Sequence, residues 1–379
     1  MKKRVSIVLG VTGIICLLAV CVIYIPYEET PEKGERPYPS REEGRVSSKF
    51  SLIFVYDYLA PHGYWVTLSP YGYVWIPRYV PYRWRPYTHG RWLWTDLGWY
   101  WVSNFDWGWL TFHYGRWGYD NRLGWFWVPG TLWAPAWVVW TWGDIYIGWA
   151  AIPPEIEWIQ GVGFSVWSLE PPAYAWVFIE GRHFPSGYLN RYILPFERNR
   201  TVLNFMVSRK SLAPRGSFII NEGIEPASLA KWTKTEIKKY EIVETGRQTR
   251  EIIGAKEITV FRPTIVKEEL AKPKETLQVN LAEREITAER ARRLDLRELE
   301  VERRNLEQSQ KEEESYFRRK MEEERAKSRD QRERQEVEKR YQVQLEQLKK
   351  QHEAEKSEFE KRQEEVKKKA AESPRRKKK

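Results

Sequence analysis

Twenty of the chain's 21 tryptophans fall between Trp65 and Trp176. An indole buries a large apolar slab and carries one N–H that needs a partner once it leaves water, so this density commits the stretch to a packed interior. The 99 residues from Leu281 onward are the reverse, with 57 charged side chains. A segment of that composition holds too little apolar surface to offset its ordering entropy as a globule. The imbalance predicts two bodies, an aromatic one with its own core and a charged one reaching away from it.

The aromatic stretch repeats internally. Gly63-Tyr64-Trp65-Val66 with Tyr71–Pro77 is followed by Gly90-Arg91-Trp92-Leu93 with Leu97–Val102, and then by Gly115-Arg116-Trp117-Gly118 with Leu123–Pro129. Trp75, Trp101 and Trp127 stand 26 residues apart. In each copy two short aromatic runs flank turn-forming residues: Ser69-Pro70, Thr95-Asp96 and Tyr119-Asp120-Asn121. Runs of this kind broken by Gly, Pro, Asn and Asp are hairpin signals. A fourth, degenerate hairpin spans Ala136–Trp140 and Ile145–Ala150. A first strand is expected at Phe50–Tyr58 from its Ile, Phe, Val and Tyr content. Residues 49–154 are therefore expected to form a β-hairpin repeat module closing as an antiparallel sheet, a propeller fragment or a small barrel.

Residues 155–266 read as a second β-rich region with a short helix starting at Pro226, and 267–280 as a linker. From 281 to 370 strong helix formers and i,i+4 pairs such as Glu289–Arg293 and Glu336–Arg340 predict one long charged helix. Its apolar seam is thin, with a short stripe at Val337, Tyr341, Leu345 and Leu348 and lapses at 311–315 and 321–331. That predicts a solvent-exposed helix or weak coiled coil with self-association through patches of 281–370, and a stable dimeric coiled coil as the alternative. Residues 371–379 form a basic tail.

At the amino end Lys2-Lys3-Arg4 precedes Val5–Ile25, 21 residues without a charge. As a helix these would span roughly 30 Å, the hydrocarbon thickness of a bilayer. Residues 1–25 are thus expected to be a signal sequence or membrane-spanning anchor with the positive end cytoplasmic, and 26–48 a flexible linker. Leu18-Ala19-Val20-Cys21 resembles a bacterial lipobox, which would put a lipid on Cys21, although Val20 departs from the small residue that pattern wants. This reading makes the membrane a partner and the bulk of the chain extracytoplasmic, in the periplasm or at the cell surface. Cys16 and Cys21 are the two cysteines, both in the apolar run. A disulfide framework and cysteine-ligated zinc or iron–sulfur sites beyond it are excluded.

Three consecutive motifs carry a family resemblance: Trp125-Phe126-Trp127-Val128-Pro129-Gly130, then Trp133-Ala134-Pro135-Ala136-Trp137-Val138, then Gly148-Trp149-Ala150-Ala151-Ile152-Pro153-Pro154. With Asn221-Glu222-Gly223-Ile224 and Ile237-Lys238-Lys239-Tyr240 they resemble an uncharacterised bacterial exported domain rich in Trp, Tyr, Gly and Pro, the domain of unknown function numbered 6600, over residues 55–265. The resemblance implies export and a β-rich fold. It carries over no catalytic residue.

Direct search for chemistry returns little. Asp120 and Asp144 would serve a glycosidase only if they faced one sugar, and an Asp at a turn more often caps its own backbone. His62, His89 and His113 occupy similar but unequal repeat positions, which does not define a metal site. No nucleophile elbow, Walker loop or dinucleotide fingerprint is present, and no cofactor or metal is expected. Interleaved Arg and Trp are more informative. Trp84, Arg85, Arg91, Trp92, Arg116 and Trp117 are the candidate ligand-binding surface, suited to an envelope glycan or a protein partner. Nucleic acid is disfavoured by the extracytoplasmic reading. The expected whole is mainly β, with antiparallel aromatic hairpins, a long charged α-helix and an N-terminal membrane-spanning helix. The function this favours is a non-catalytic, membrane-anchored envelope scaffold, with a carbohydrate- or peptidoglycan-binding module as the alternative and an envelope hydrolase below both.

Overall fold

In each of the four hairpins a tryptophan stands directly opposite a tryptophan: Trp65 and Trp75, Trp92 and Trp101, Trp117 and Trp127, Trp140 and Trp149. The hairpins are Gly63–Leu68 with Gly72–Pro77, Gly90–Thr95 with Gly98–Ser103, Arg116–Asp120 with Gly124–Val128, and Val138–Gly143 with Tyr146–Ala151. They are seen in a computed structural model that describes residues 48–164, 170–293 and 296–372, all within one contact unit, Gly44–Lys379.

Glycine makes the repeated pairing possible. In the first three hairpins the residue two before the first Trp is Gly63, Gly90 or Gly115, and the partner strand's indole lies over it. A Cβ there would stand 2.3 Å from Trp75, 2.6 Å from Trp101 and 2.7 Å from Trp127. In the first and third hairpins the indole N–H groups find the same kind of acceptor. Trp65 and Trp75 donate to the Tyr56 and Leu59 carbonyls at 3.0 Å, and Trp117 and Trp127 donate to those of Thr111 and Tyr114 at 3.0 and 2.8 Å. Both acceptor pairs sit at the end of a short helix, Leu52–Leu59 or Gly108–Thr111, three residues apart in the chain. Helix plus hairpin is therefore the repeating unit in these two copies.

The repeats do not close into a propeller or barrel. The first and third hairpins join through Trp75 and Trp127 into one four-stranded sheet. The fourth lies in another, between Trp176–Glu180 and Met206–Lys210. The second sits inside a seven-stranded mixed sheet, where Lys239–Thr245 runs parallel both to it and to Glu257–Phe261. A further parallel pair joins Lys49–Ser51 to Thr264–Val266.

The expected mainly β, antiparallel class is thus corrected to mixed α/β, several sheets with long helices. The strand foreseen at Phe50–Tyr58 is mostly the helix Leu52–Leu59. Ser51 caps it, its Oγ accepting from the Ile53 and Phe54 amides at 3.1 and 3.4 Å, and the buried Leu52, Val55, Tyr56 and Leu59 lie on one helical face. β-Propensity was the weaker signal there.

The charged segment is corrected too. It is three helices, Val279–Arg292, Leu296–Lys327 and Gln331–Glu372, and they pack on the sheets. Ala282 and Ile286 belong to one buried cluster with Val66, Val74, Ile76, Leu123 and Phe126. Burying Ile286 there is worth about 2 kcal/mol. The last two helices, 32 and 42 residues long, form an antiparallel pair. Between them Asp330 Oδ1 accepts from the Glu333 amide at 2.8 Å, an N-terminal cap that restarts the helix where the seam lapses. Val337, Tyr341 and Leu348 are buried, so the stripe expected to drive self-association is already covered.

No helix among the described residues is long and apolar enough to cross a membrane. The long helices found are charged along their length. Residues 5–25 and Cys21 lie outside the described residues. The described residues thus supply no membrane-spanning helix, and the membrane partner, the anchored localisation and the anchored scaffold that rested on one are withdrawn.

Candidate functional site

The third hairpin ends in an aromatic pair, Tyr119 opposite Trp125, beside the turn that Asp120 fastens by accepting from the Arg122 and Leu123 amides at 2.8 and 3.0 Å. Tyr174 packs on both rings, 4.9 Å from Tyr119 and 6.4 Å from Trp125 between centroids. The two tyrosines are 42% and 46% exposed, which makes this cluster an open shelf rather than core. Behind it lies a cleft of about 430 Å³, lined also by Tyr82, Arg83, Trp84, Arg85 and Asn121. The far wall comes from the charged segment, which supplies Thr287, Arg290 and Glu302.

Each cationic group of the cleft has a distinct setting. Arg83 lies 3.8 and 3.5 Å from Glu197 and Glu302, and both carboxylates also meet Arg362 of the last helix, at 2.7 and 2.6 Å. Burial pushes Glu197 up to about 7 against the pull of Arg83. These two glutamates clasp the helical pair to the sheets, and their charges are spent on it. Arg122 lies 3.8 Å from Asp120. Arg85 donates to the Trp176 carbonyl at 2.5 Å, and burial with nearby Arg83 pulls its guanidinium down to about 10. Arg290 donates to the Leu123 carbonyl at 2.8 Å and lies flat over Gly124, next to Trp125. Its guanidinium is also lowered, chiefly by burial.

Of the six residues singled out from sequence, Trp84 and Arg85 line this cleft. Trp92 and Trp117 are buried among other rings, Trp92 4.6 Å from Trp140 and Trp117 5.1 Å from Trp84. Arg116 stacks 3.2 Å over the Trp137 ring, and burial pulls it down to about 9. Arg91 lines a different cleft, with Tyr188 and Arg250. The sequence thus located one edge of the site and missed the shelf. Hairpin register does set Tyr119 opposite Trp125, a legible signal. Nothing local points to Tyr174 or Arg290.

The candidate acids and imidazoles are engaged separately. Asp144 accepts from the Tyr316 hydroxyl at 2.6 Å. His89 Nδ1 is 3.0 Å from Thr88 Oγ1, and buried His113 lies 3.3 Å from Glu251. No group of three or more His, Cys, Asp or Glu able to hold a metal occurs among the described residues.

Residues 56–156 match the model of a family of unknown function, DUF6600, and the chain contains that domain. The match covers all four hairpins and stops short of the 55–265 expected. Tyr119 and Trp125 of the shelf lie within it, while Tyr174 and Arg290 lie beyond. No curated protein and no solved structure matches the chain.

Proposed function

We propose that this protein is a non-catalytic carbohydrate-binding module whose site is the cleft bounded by Tyr119, Trp125 and Tyr174. The observation that carries the reading is a pair of exposed tyrosine rings, Tyr119 and Tyr174, packed on each other and on the buried indole of Trp125 at the mouth of a cleft. The face of a pyranose presents C–H groups that suit the negative face of an aromatic ring, and its hydroxyls need fixed donors and acceptors around it. Asn121, Arg122 and Tyr82 stand at the rim to supply them.

Calorimetric titration of the intact chain with neutral and acidic oligosaccharides tests the reading. Saturable binding is expected, weakened about tenfold or more when Tyr119 and Tyr174 are both changed to Ala, each ring contributing about 0.5–1.5 kcal/mol beyond its area. Both are exposed, so the double variant keeps its fold. Absence of saturable binding to any oligosaccharide, or equal binding by the double variant, would sink the proposal.

A further inference from the structure

Two guanidinium groups in the cleft are short of negative charge. Arg83 and Arg122 have carboxylates within 4 Å, in Glu197, Glu302 and Asp120. Arg85 and Arg290 instead spend one N–H each on a main-chain carbonyl, of Trp176 and of Leu123, and make no ion pair among the described residues. Glu302 and Glu197 act on Arg85 only at longer range and are already held by Arg83 and Arg362. A partly desolvated cation without a counter-charge is costly, and the protein could have placed a neutral residue at either position. Both cations line the same cleft as the aromatic shelf. Arg290 lies against the backbone of Gly124, beside Trp125, with its Nη2 2.5 Å from where a Cβ would stand.

We propose that the ligand is an acidic glycan, a chain of uronic-acid residues whose carboxylates are received by Arg85 and Arg290 while its pyranose rings pack against the exposed Tyr119 and Tyr174. A planar guanidinium offers a carboxylate two parallel N–H donors, and the pairing is stronger in a cleft than in open water. The shelf selects a sugar, and the cations select its charge. Because Arg290 comes from the helix Val279–Arg292, the charged segment completes the site that the family-matched hairpins begin. This inference rests on the carbohydrate reading above and narrows it.

The test compares a uronic-acid hexamer with its methyl ester, which has the same rings and no charge, by calorimetry on the intact chain at low and high salt. The acid form is expected to bind at least about tenfold tighter, with the advantage shrinking as salt rises. Arg290→Gln is expected to narrow the gap between the two affinities, and an unchanged melting temperature and near-ultraviolet circular dichroism report that the variant is folded. Arg85→Gln repeats the comparison at the other cation. Equal binding of acid and ester by the unaltered chain, or an acid preference that survives both substitutions, overturns the charge assignment and leaves the carbohydrate reading standing. Tighter binding of a sulfated oligosaccharide than of the uronate overturns the carboxylate as the anion. Failure of both hexamers to bind overturns the inference, and the neutral oligosaccharides then decide the broader reading.

Discussion

The carboxamide of Asn221 accepts the indole N–H of Trp140 at 2.6 Å, joining residues 81 apart in the chain. Its Nδ2 donates to the Trp99 carbonyl at 2.7 Å, and the side chain is wholly buried. One residue beyond the family-matched segment thus satisfies polar groups in the second and fourth hairpins together. Asn221→Leu leaves a buried donor and a buried acceptor without partners, at about 1–3 kcal/mol for each group, and is expected to destabilise the fold by roughly 2–4 kcal/mol. Chemical denaturation with near-ultraviolet circular dichroism checks it. A midpoint shift equivalent to under about 0.5 kcal/mol would show that Asn221 is not needed to join the hairpins.

Arg198 performs the same office for the helical pair. Fully buried, it contacts Glu313 of one helix and lies 2.5 Å from Glu355 of the other, while the Tyr146 hydroxyl donates to Glu313 at 2.8 Å. His352 Nε2 closes the cluster 2.7 Å from Glu313. Arg198→Met would leave two carboxylates short of their counter-charge, and breaking a buried pair in this way costs about 3–5 kcal/mol. Limited proteolysis should then cut within 296–372 well before the hairpins, whereas the unaltered chain resists cleavage there. Unchanged protection would mean that apolar contacts alone hold the helices down.

Hairpins were legible because they are local: the 26-residue spacing of Trp75, Trp101 and Trp127 and the turn residues between runs are written within each copy. What joins them was not, because Trp75–Trp127 pairing and the parallel insertion of Lys239–Thr245 are contacts between residues far apart in sequence. The helical segment misled for a different reason. Its few apolar residues looked too thin for a core, yet Ala282 and Ile286 complete one begun by the sheet, and Arg198 with Glu313 and Glu355 lets charged residues be buried in matched sets. Composition counts charges without saying which will meet. For the site, Trp84 and Arg85 came from Arg–Trp interleaving, while Arg290 entered the cleft through tertiary packing alone.

Two glycine substitutions separate steric crowding from backbone strain. At Gly90 a Cβ would fall 2.2 Å from the Val102 carbonyl and 2.6 Å from the Trp101 ring, so Gly90→Ala must part the hairpin or displace a buried indole. At Gly72 nothing lies within 4 Å, but φ is +78°, a conformation that costs an L-residue roughly 1–2 kcal/mol. Gly72→Ala is therefore expected to lower stability by about that amount. Gly90→Ala is expected to exceed it, reaching the few kcal/mol typical of overpacked cores. Equal melting shifts for the two variants would refute the account of glycine as the seat of the partner indole.

Acid sensitivity should have a component from His89. Burial pulls its imidazole down to about 4 from an ordinary value of 6.5, so the folded chain holds the neutral ring over a range where the unfolded chain would protonate it. The cleft it lines holds Arg83, Arg85, Arg191 and Arg297 together with Glu298 and Glu302, so burial alone accounts for the shift. For a depressed pKa the stabilising contribution is present in full above the unfolded value and is lost as pH falls toward the folded one. Stability is thus expected to drop between pH 6.5 and 4, and His89→Asn, which keeps a polar group near Thr88 Oγ1 without a titrating one, should flatten that part of the profile. The reading is Tm against pH for both proteins in the same buffer series. Parallel curves through this window would show that His89 does not set the acid sensitivity.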